Sequence, residues 1–225
     1  MSVLAVNNLS YVYEGTKKKV LNNISISFEP KKTYAIVGKS GSGKTTLLAL
    51  LSGLDLCKDG EILYKGQDIK TIDRDDYRSK KIGVIFQSYN LLTNATAIEN
   101  IMLSMDISGV KVENKKEHAY NLLQKVGIDK ETADRKVLKL SGGEQQRIGI
   151  ARALSHNPDI IIADEPTGNL DTATEKSIMK ILTSLSEKED KCVIIVTHSE
   201  KVAGYADEVW GMTDGKLSFV KTKVD

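Results

Sequence analysis

The sequence contains little cysteine, proline or aromatic residue. Two cysteines, Cys57 and Cys192, stand in a chain of 225 residues, which fits a reducing cytosol as the compartment. These cysteines and three scattered histidines form no cluster with metal-ligand spacing, so no zinc-type site is expected. Three prolines interrupt the chain, and it shows no internal repeat or low-complexity tract. The hydrophobic content of 40% and the charged content of 28% are typical of a globular domain.

Long apolar runs are also missing. No run approaches the ~20 residues of a membrane span, and the first residues lack the basic and apolar regions of a secretory signal. The net charge is +2, and the lysines occur in short scattered groups with few aromatic residues beside them. This pattern favours a solvated surface over a nucleic-acid-binding one, so no nucleic-acid partner is expected.

Residues 38–45 read GKSGSGKT and fit the phosphate-binding pattern G-x-x-x-x-G-K-[ST] at every fixed position. A short run of strand formers precedes them, and residues 46–51 have the composition of a buried helix. Glycines allow backbone N–H groups to turn inward, where they and the helix N-terminus bind phosphate oxygens. Two fixed glycines followed by Lys44 and Thr45 rarely match by chance, which disfavours a flexible surface loop.

Strands alternate with helices along most of the chain, which predicts an α/β fold with a parallel sheet. Residues 3–6 and the alternating pattern of residues 24–28 predict an antiparallel sheet near the N-terminus. Residues 88–139 are mainly helical in pattern. We therefore predict one P-loop NTPase domain with a mixed or parallel sheet. Residues 1–87 and 140–225 form its α/β core with an antiparallel β subdomain, and residues 88–139 form an inserted helical subdomain.

Polar residues follow three predicted strands: Gln87, the pair Asp164 and Glu165, and His198. Ligands of parallel sheets bind outside the carboxyl ends of the strands, where the P-loop also lies. We expect these four features to converge on one edge. The simpler alternative is that Asp164 and Glu165 end a strand at the surface and that His198 is a polar residue leaving a buried strand.

Two segments predict capped helix starts. Ser141 followed three residues later by Glu144 is a capping box, and Thr172 with Glu175 has the same spacing. The first box contains Gly142 and Gly143, and a capped helix start with two glycines is also an anion site. Asp59 and Gly60 are predicted to separate two short strands.

Together these motifs resemble the nucleotide-binding subunit of ATP-binding cassette (ABC) transporters over nearly the whole chain. The most specific element is LSGGEQ at residues 140–145, which matches the family signature. Residues 160–164 resemble the Walker B strand, residues 169–171 the D-loop, Gln87 the Q-loop and His198 the switch histidine. Residues 84–92 (VIFQSYNLL) most resemble the branch of lipoprotein-release, macrolide-export and antimicrobial-peptide-export ATPases.

The resemblance implies an ATPase that uses ATP and Mg²⁺. It implies that Asp164 holds Mg²⁺ with Thr45 and Gln87, and that Glu165, His198 and Gln87 are the catalytic residues. Either Tyr11 or Tyr13 stacks on adenine, and the spacing to the P-loop favours Tyr13. The implied ATP-binding residues are Tyr13, Gly38, Lys39, Ser40, Gly41, Ser42, Gly43, Lys44, Thr45 and Thr46.

The resemblance also implies partners. Ser141, Gly142, Gly143 and Asp171 would face the ATP of a second copy, giving an ATP-dependent head-to-tail homodimer. A membrane permease on a separate chain would hold the protein at the cytoplasmic face of the membrane for export or extrusion. Leu91 and Leu92 either border a groove for a short permease helix or pack in the core. The rival classes are nucleic-acid-linked and translation-linked ABC ATPases, but the chain has no sustained heptads.

Overall fold

The computed structural model describes residues 1–222. Its strands and helices alternate as the sequence predicts. The strands are β1 (Leu4–Val12), β2 (Lys19–Phe28), β3 (Thr33–Val37), β4 (Asp59–Tyr64), β5 (Gln67–Asp68), β6 (Ile82–Ile85), β7 (Ile160–Asp164), β8 (Cys192–Thr197), β9 (Glu208–Thr213) and β10 (Lys216–Thr222). The helices are α1 (Lys44–Leu51), α2 (Arg74–Lys80), α3 (Ala97–Ile107), α4 (Lys115–Lys125), α5 (Lys130–Ala133), α6 (Gly142–Leu154), α7 (Thr172–Glu189) and α8 (Glu200–Ala203). Short 3₁₀ turns lie at Ile69–Thr71 and Val137–Lys139.

Residues 1–222 form two sheets. A six-stranded sheet has the order β10-β9-β3-β8-β7-β6, in which β10 is an antiparallel edge strand and the other strands are parallel. A four-stranded antiparallel sheet has the order β2-β1-β4-β5. This confirms the predicted mixed α/β architecture with an antiparallel sheet and helices.

Alternate residues of β7 belong to two different hydrophobic clusters. Ile160 and Ile162 pack in the cluster shared with α1 and the antiparallel sheet. Ile161 and Ala163 pack in the cluster shared with α3, α4, α6 and α7. Since successive strand side chains point to opposite faces, both faces of β7 are covered. This explains why the strand is a continuous apolar run, and it leaves the strand ends as the open edge of the sheet.

One boundary differs from its sequence-based prediction. Asp59 and Gly60 do not separate strands, because both belong to β4. The register of β1 against β4 shifts between Asn7 and Ser10, opposite this point. Gly60 has a φ of +84°, and a Cβ there would lie 2.7 Å from the Leu9 Cα. The glycine therefore serves an irregular strand pair rather than a turn.

Residues 88–139 contain α3, α4 and α5, while residues 88–96 are not helical. The helices share one hydrophobic cluster with β7, β8 and α7, so their core is continuous with one face of the large sheet. The proposed subdomain boundaries at residues 87 and 140 stay a prediction. Within residues 1–222, no helix is both long and apolar enough to cross a membrane.

Candidate functional site

A cavity of about 370 Å³ lies at the carboxyl ends of the parallel strands. It brings together the P-loop, Gln87 two residues after β6, the end of β7 and His198 directly after β8, as the positions of the strand ends predict. Val20, which the sequence analysis missed, also borders it. The lining residues are Val20, Ser40, Gly41, Gly43, Lys44, Thr45, Thr46, Gln87, Asp164, Glu165 and His198.

The P-loop curls because its glycines adopt left-handed backbone conformations. Gly41 has a φ of +78° and Gly43 a φ of +109°, immediately before α1 begins at Lys44. The Lys44 Nζ donates hydrogen bonds to the carbonyls of Gly38 at 2.7 Å and Lys39 at 3.1 Å. The lysine thus lies across the concave side of its own loop. Its ammonium and the N-terminus of α1 make this side of the cavity positive.

The rear of the P-loop rests on the hairpin of β9 and β10. A Cβ on Gly38 would lie 2.4 Å from the Met212 carbonyl oxygen, so no larger residue fits there. The Gly215 N–H donates to the Ser42 carbonyl at 3.1 Å. These contacts support the loop from behind, and Met212 and Gly215 have no sequence signal that marks them as P-loop neighbours.

Two carboxylates stand at the end of β7. Burial raises the pKa of Asp164, the neighbouring Glu165 charge raises it further, and Lys44 partly opposes the effect. Glu165 has a φ of +44°, which is unusual for a residue other than glycine. Its N–H donates to the Val196 carbonyl at 2.9 Å, which ties this strained position to β8. Backbone strain of this kind occurs often at functional sites.

The Glu165 carboxylate is held by Thr197, the last residue of β8, and by His198, which follows the strand. The His198 Nδ1 lies 2.7 Å from Oε1, and the Thr197 hydroxyl donates to Oε2 at 3.0 Å. Because the carboxylate only accepts, the His198 proton sits on Nδ1 in this contact. The Glu165 side chain is 16% exposed, while that of His198 is 69% exposed. The histidine is therefore the exposed partner of the pair, and the glutamate the more buried one.

Gln87 lies against the loop that follows Glu165. A Cβ on Gly168 would be 2.7 Å from the Gln87 Nε2, so this glycine makes room for the amide. Thr45, Gln87 and Asp164 all border the same cavity and offer oxygen atoms. Within residues 1–222, no group of three or more His, Cys, Asp or Glu residues forms a metal cage by itself. This donor set fits Mg²⁺, which binds few carboxylates and completes its shell with water and phosphate oxygens.

The two candidate tyrosines have different surroundings. The Tyr13 hydroxyl is 2.8 Å from the Thr46 Oγ1 on α1, next to the P-loop, and its ring is half exposed. The Tyr11 hydroxyl donates to Asp55, and this bond, with burial, raises the pKa of Tyr11 to about 12. The rings pack edge to face with centroids 5.1 Å apart. Tyr13 thus contacts α1, the helix that follows the P-loop, whereas the Tyr11 hydroxyl turns to Asp55. Both tyrosines border a second cavity, and neither lines the cavity at the P-loop.

The signature residues lie outside the cavity of their own chain. Ser141 forms the predicted capping box, with its hydroxyl 3.3 Å from the Glu144 N–H and its own N–H 2.7 Å from the Glu144 Oε2. Cβ atoms on the two glycines would meet side chains: Gly142 the Tyr89 hydroxyl at 2.8 Å, and Gly143 the Thr174 methyl at 2.7 Å. The helix start is therefore tightly packed on its inner side.

The capping box predicted at Thr172 and Glu175 is wrong. Asp171 caps α7, accepting hydrogen bonds from the N–H groups of Ala173 at 2.9 Å and Thr174 at 3.0 Å. A short carboxylate at the N-cap outcompetes the later pair because it reaches two unpaired N–H groups at once. Asp171, like the signature, lies outside the cavity that holds the P-loop.

The chain matches known proteins along most of its length. Residues 21–168 match the family model described as "ABC transporter". The uncharacterized ABC transporter ATP-binding protein YclH of Bacillus subtilis is 47% identical over 207 residues, covering 92% of each chain. The lipoprotein-releasing system ATP-binding protein LolD of Wigglesworthia glossinidia brevipalpis is 40% identical over 222 residues, covering 96% of each.

Solved structures give the same result. The dimeric ATP-binding cassette MJ0796, in a post-hydrolysis state bound to ADP and Pi, superposes with a TM-score of 0.89 at 32% identity, covering 99% of both chains. These likenesses confirm the resemblance found in the motifs, including that to the lipoprotein-release branch. The chain belongs to the ABC transporter family, as an ATP-binding subunit that hydrolyses ATP in support of transport.

Proposed function

We propose that this subunit drives a separate membrane permease from the cytoplasmic face of the membrane, exporting or extruding a peptide, drug or lipid-linked substrate. The observation that carries the proposal is the convergence of the P-loop, Gln87, the two carboxylates and His198 on one cavity. The likeness to a lipoprotein-releasing ATP-binding protein supports the export branch.

Within the cavity, the chain's own residues have distinct tasks. Lys44 and the α1 N-terminus hold the β- and γ-phosphates, for which Lys44 turns from the Gly38 and Lys39 carbonyls to the nucleotide. Thr45, Gln87 and Asp164 would hold Mg²⁺, which would supply positive charge to the phosphates. Tyr13 stacks on the adenine. Lys44, Thr45, Gln87 and Asp164 line the cavity, and Tyr13 contacts α1 beside it, which supports these assignments.

Glu165 acts as the general base that orients and deprotonates the attacking water. Thr197 and His198 hold its carboxylate from two sides. This matters because a protein catalyses phosphoryl transfer mainly by positioning the reactants and stabilising charge. His198 is exposed enough to leave Glu165 and hydrogen-bond the γ-phosphate. Burial raises the pKa of Asp164, and a nearby cation would stabilise its ionised form.

The signature acts on the ATP of a second copy. The start of α6 presents free N–H groups and two glycines, which is an anion site, but it lies away from the P-loop of its own chain. Asp171 lies outside this cavity as well. Head-to-tail pairing of two chains would bring each signature and Asp171 to the partner's nucleotide. The dimeric state of the related cassette MJ0796 supports this arrangement.

The permease docks in a larger groove whose lining residues differ from those of the cavity at the P-loop. A cavity of about 670 Å³ lies between α2, β6 and α3, with Leu54 and Ile107 as exposed apolar residues and Arg78 as a charged one. Neither Leu91 nor Leu92 lines this cavity, although the neighbouring Asn90 does, so their place at a permease groove stays a prediction. Leu91 instead packs partly buried against the helical core, which fits its alternative role.

The experiment is affinity purification of the tagged full-length chain from detergent-solubilised membranes. We expect a polytopic membrane protein to copurify. Ile107→Asp should abolish the copurification and leave ATP hydrolysis by the free subunit unchanged, because Ile107 is exposed and does not line the cavity at the P-loop. Leu103→Asp is the matched control, since Leu103 is exposed on the same helix, one turn earlier, and does not line the groove. Salt-dependent DNA binding without a membrane partner would contradict the proposal.

A further inference from the structure

Thr197 is a buried hydroxyl at the site that none of the sequence motifs assigns a role. It is the last residue of β8 and is 1% exposed. Its Oγ1 lies 3.0 Å from the Glu165 Oε2 and 3.1 Å from the Ser199 backbone nitrogen. A threonine hydroxyl carries one proton and two acceptor lone pairs. Because the Ser199 N–H can only donate, the Thr197 oxygen accepts there, and its proton is free for Glu165.

The direction of this hydrogen bond is therefore determined. The carboxylate has no proton to give, so the chain runs from the Ser199 N–H to Thr197 and from the Thr197 O–H to Glu165. Ser199 is itself fixed as the N-cap of α8, with its hydroxyl accepting from the Val202 N–H at 3.3 Å. A hydroxyl locked in this way fixes the orientation of the carboxylate that it contacts.

Thr197 and His198 hold different oxygens of the Glu165 carboxylate, one from a buried position and the other from an exposed one. His198 holds Oε1 from an exposed position at the cavity, whereas Thr197 holds Oε2 from within the core. When His198 turns to the nucleotide, Thr197 stays. This leaves Oε1 as the oxygen available for a water proton.

We propose that Thr197 is a positioning residue for ATP hydrolysis, which holds the Glu165 Oε2 so that Oε1 serves as the base. The proposal rests on the proposed role of Glu165. It assigns Thr197 no contact with the nucleotide. A loss of the hydroxyl should therefore lower kcat and leave ATP binding unchanged.

The test compares Thr197→Val, Thr197→Ser and Thr33→Val in steady-state ATPase assays. Thr197→Val keeps the shape of the side chain, and kcat should fall on the order of 10- to 100-fold, the cost of a misplaced reacting group. KM for ATP should stay within about twofold, because only positioning is lost. Thr197→Ser restores the hydroxyl and should restore most of kcat. Thr33→Val is the matched control. Thr33 is equally buried, at 1% exposed, but it is the first residue of β3, and its hydroxyl bonds that of Ser186 on α7.

A second comparison tests whether Thr197 acts through Glu165. In the Glu165→Gln background, Thr197→Val should leave the residual single-turnover rate unchanged, since the base is already absent. An equal fall in both backgrounds would overturn the proposal, as would normal kcat in Thr197→Val or failure of Thr197→Ser to rescue. If the valine variant does not fold, as judged by circular dichroism, Thr197→Ala against Thr197→Ser makes the same comparison. Wild-type hydrolysis by Glu165→Gln alone would instead refute the base assignment in the proposed function.

Discussion

The Glu165→Gln variant separates ATP binding from hydrolysis. Glutamine has the size of glutamate, so the strained backbone at φ +44° and the bond to the Val196 carbonyl are unchanged. Its amide oxygen can accept from Thr197, and its NH₂ can donate to the His198 Nδ1 once that imidazole changes tautomer. The fold and the cavity should therefore persist, and only the basic carboxylate is lost.

The expected effect on the rate follows from that single loss. A positioned general base contributes typically about 10²–10⁴-fold, which corresponds to about 3–5 kcal/mol of the barrier. The turnover number in a phosphate-release assay should fall by this factor. Affinity for ATP, measured by fluorescent-nucleotide titration in the presence of Mg²⁺, should stay near the wild-type value, because Lys44, Thr45 and Asp164 are untouched.

Blocked hydrolysis should also trap the proposed dimer. Each nucleotide would contact both subunits, so ATP favours the closed pair by mass action. Size-exclusion chromatography of Glu165→Gln should show a monomer without nucleotide and a dimer at saturating ATP. Adding Ser141→Arg to the same chain should abolish the dimer, since the arginine would occupy the place of the partner's γ-phosphate.

Two results would refute this reasoning. Hydrolysis at the wild-type rate would remove Glu165 from the mechanism. The second result has two parts: Glu165→Gln binds ATP but stays monomeric, and the wild-type complex with its permease contains two copies of the subunit. Together they would show that ATP binding does not close the pair.

Three further predictions address single contacts. Lys44→Ala should abolish tight ATP binding, because it removes the ammonium that faces the phosphates, and a wild-type Kd in a nucleotide titration would refute the P-loop assignment. Ser141→Arg alone should stop turnover while the monomer still binds ATP, and normal hydrolysis would leave helix capping as the whole role of this residue. Burial raises the pKa of Asp159, but hydrogen bonds from Lys65 and Tyr64 outweigh it and hold the pKa below its ordinary value. The stability that this carboxylate contributes is therefore present above about pH 4 and is lost as the pH falls through the folded pKa. Asp159→Asn should flatten the pH dependence of the free energy of unfolding, measured with guanidinium, in that range. Equal pH dependence in both proteins would contradict this prediction.

Much of the site follows from local patterns. The P-loop was predictable because its glycines, lysine and threonine lie within eight consecutive residues whose backbone conformation depends on those residue types. The Ser141 cap was predictable for the same reason, since its partner Glu144 is one helical turn away. The cap of α7 was missed because Asp171 and Thr172 are both good caps in sequence, and only the backbone geometry shows which one stands outside the helix.

By itself, then, the sequence determined the fold class, the family and the convergence of the catalytic motifs at the strand ends. Apolar runs specify buried parallel strands, and the carboxyl ends of such strands meet at one edge. Only the tertiary structure decided which tyrosine reaches α1, where the large groove lies, and that Thr197 holds Glu165. These depend on contacts such as that between Glu165 and Thr197, which are separated by 32 positions in the chain. No local pattern encodes such a distance, because packing between strands and helices sets it.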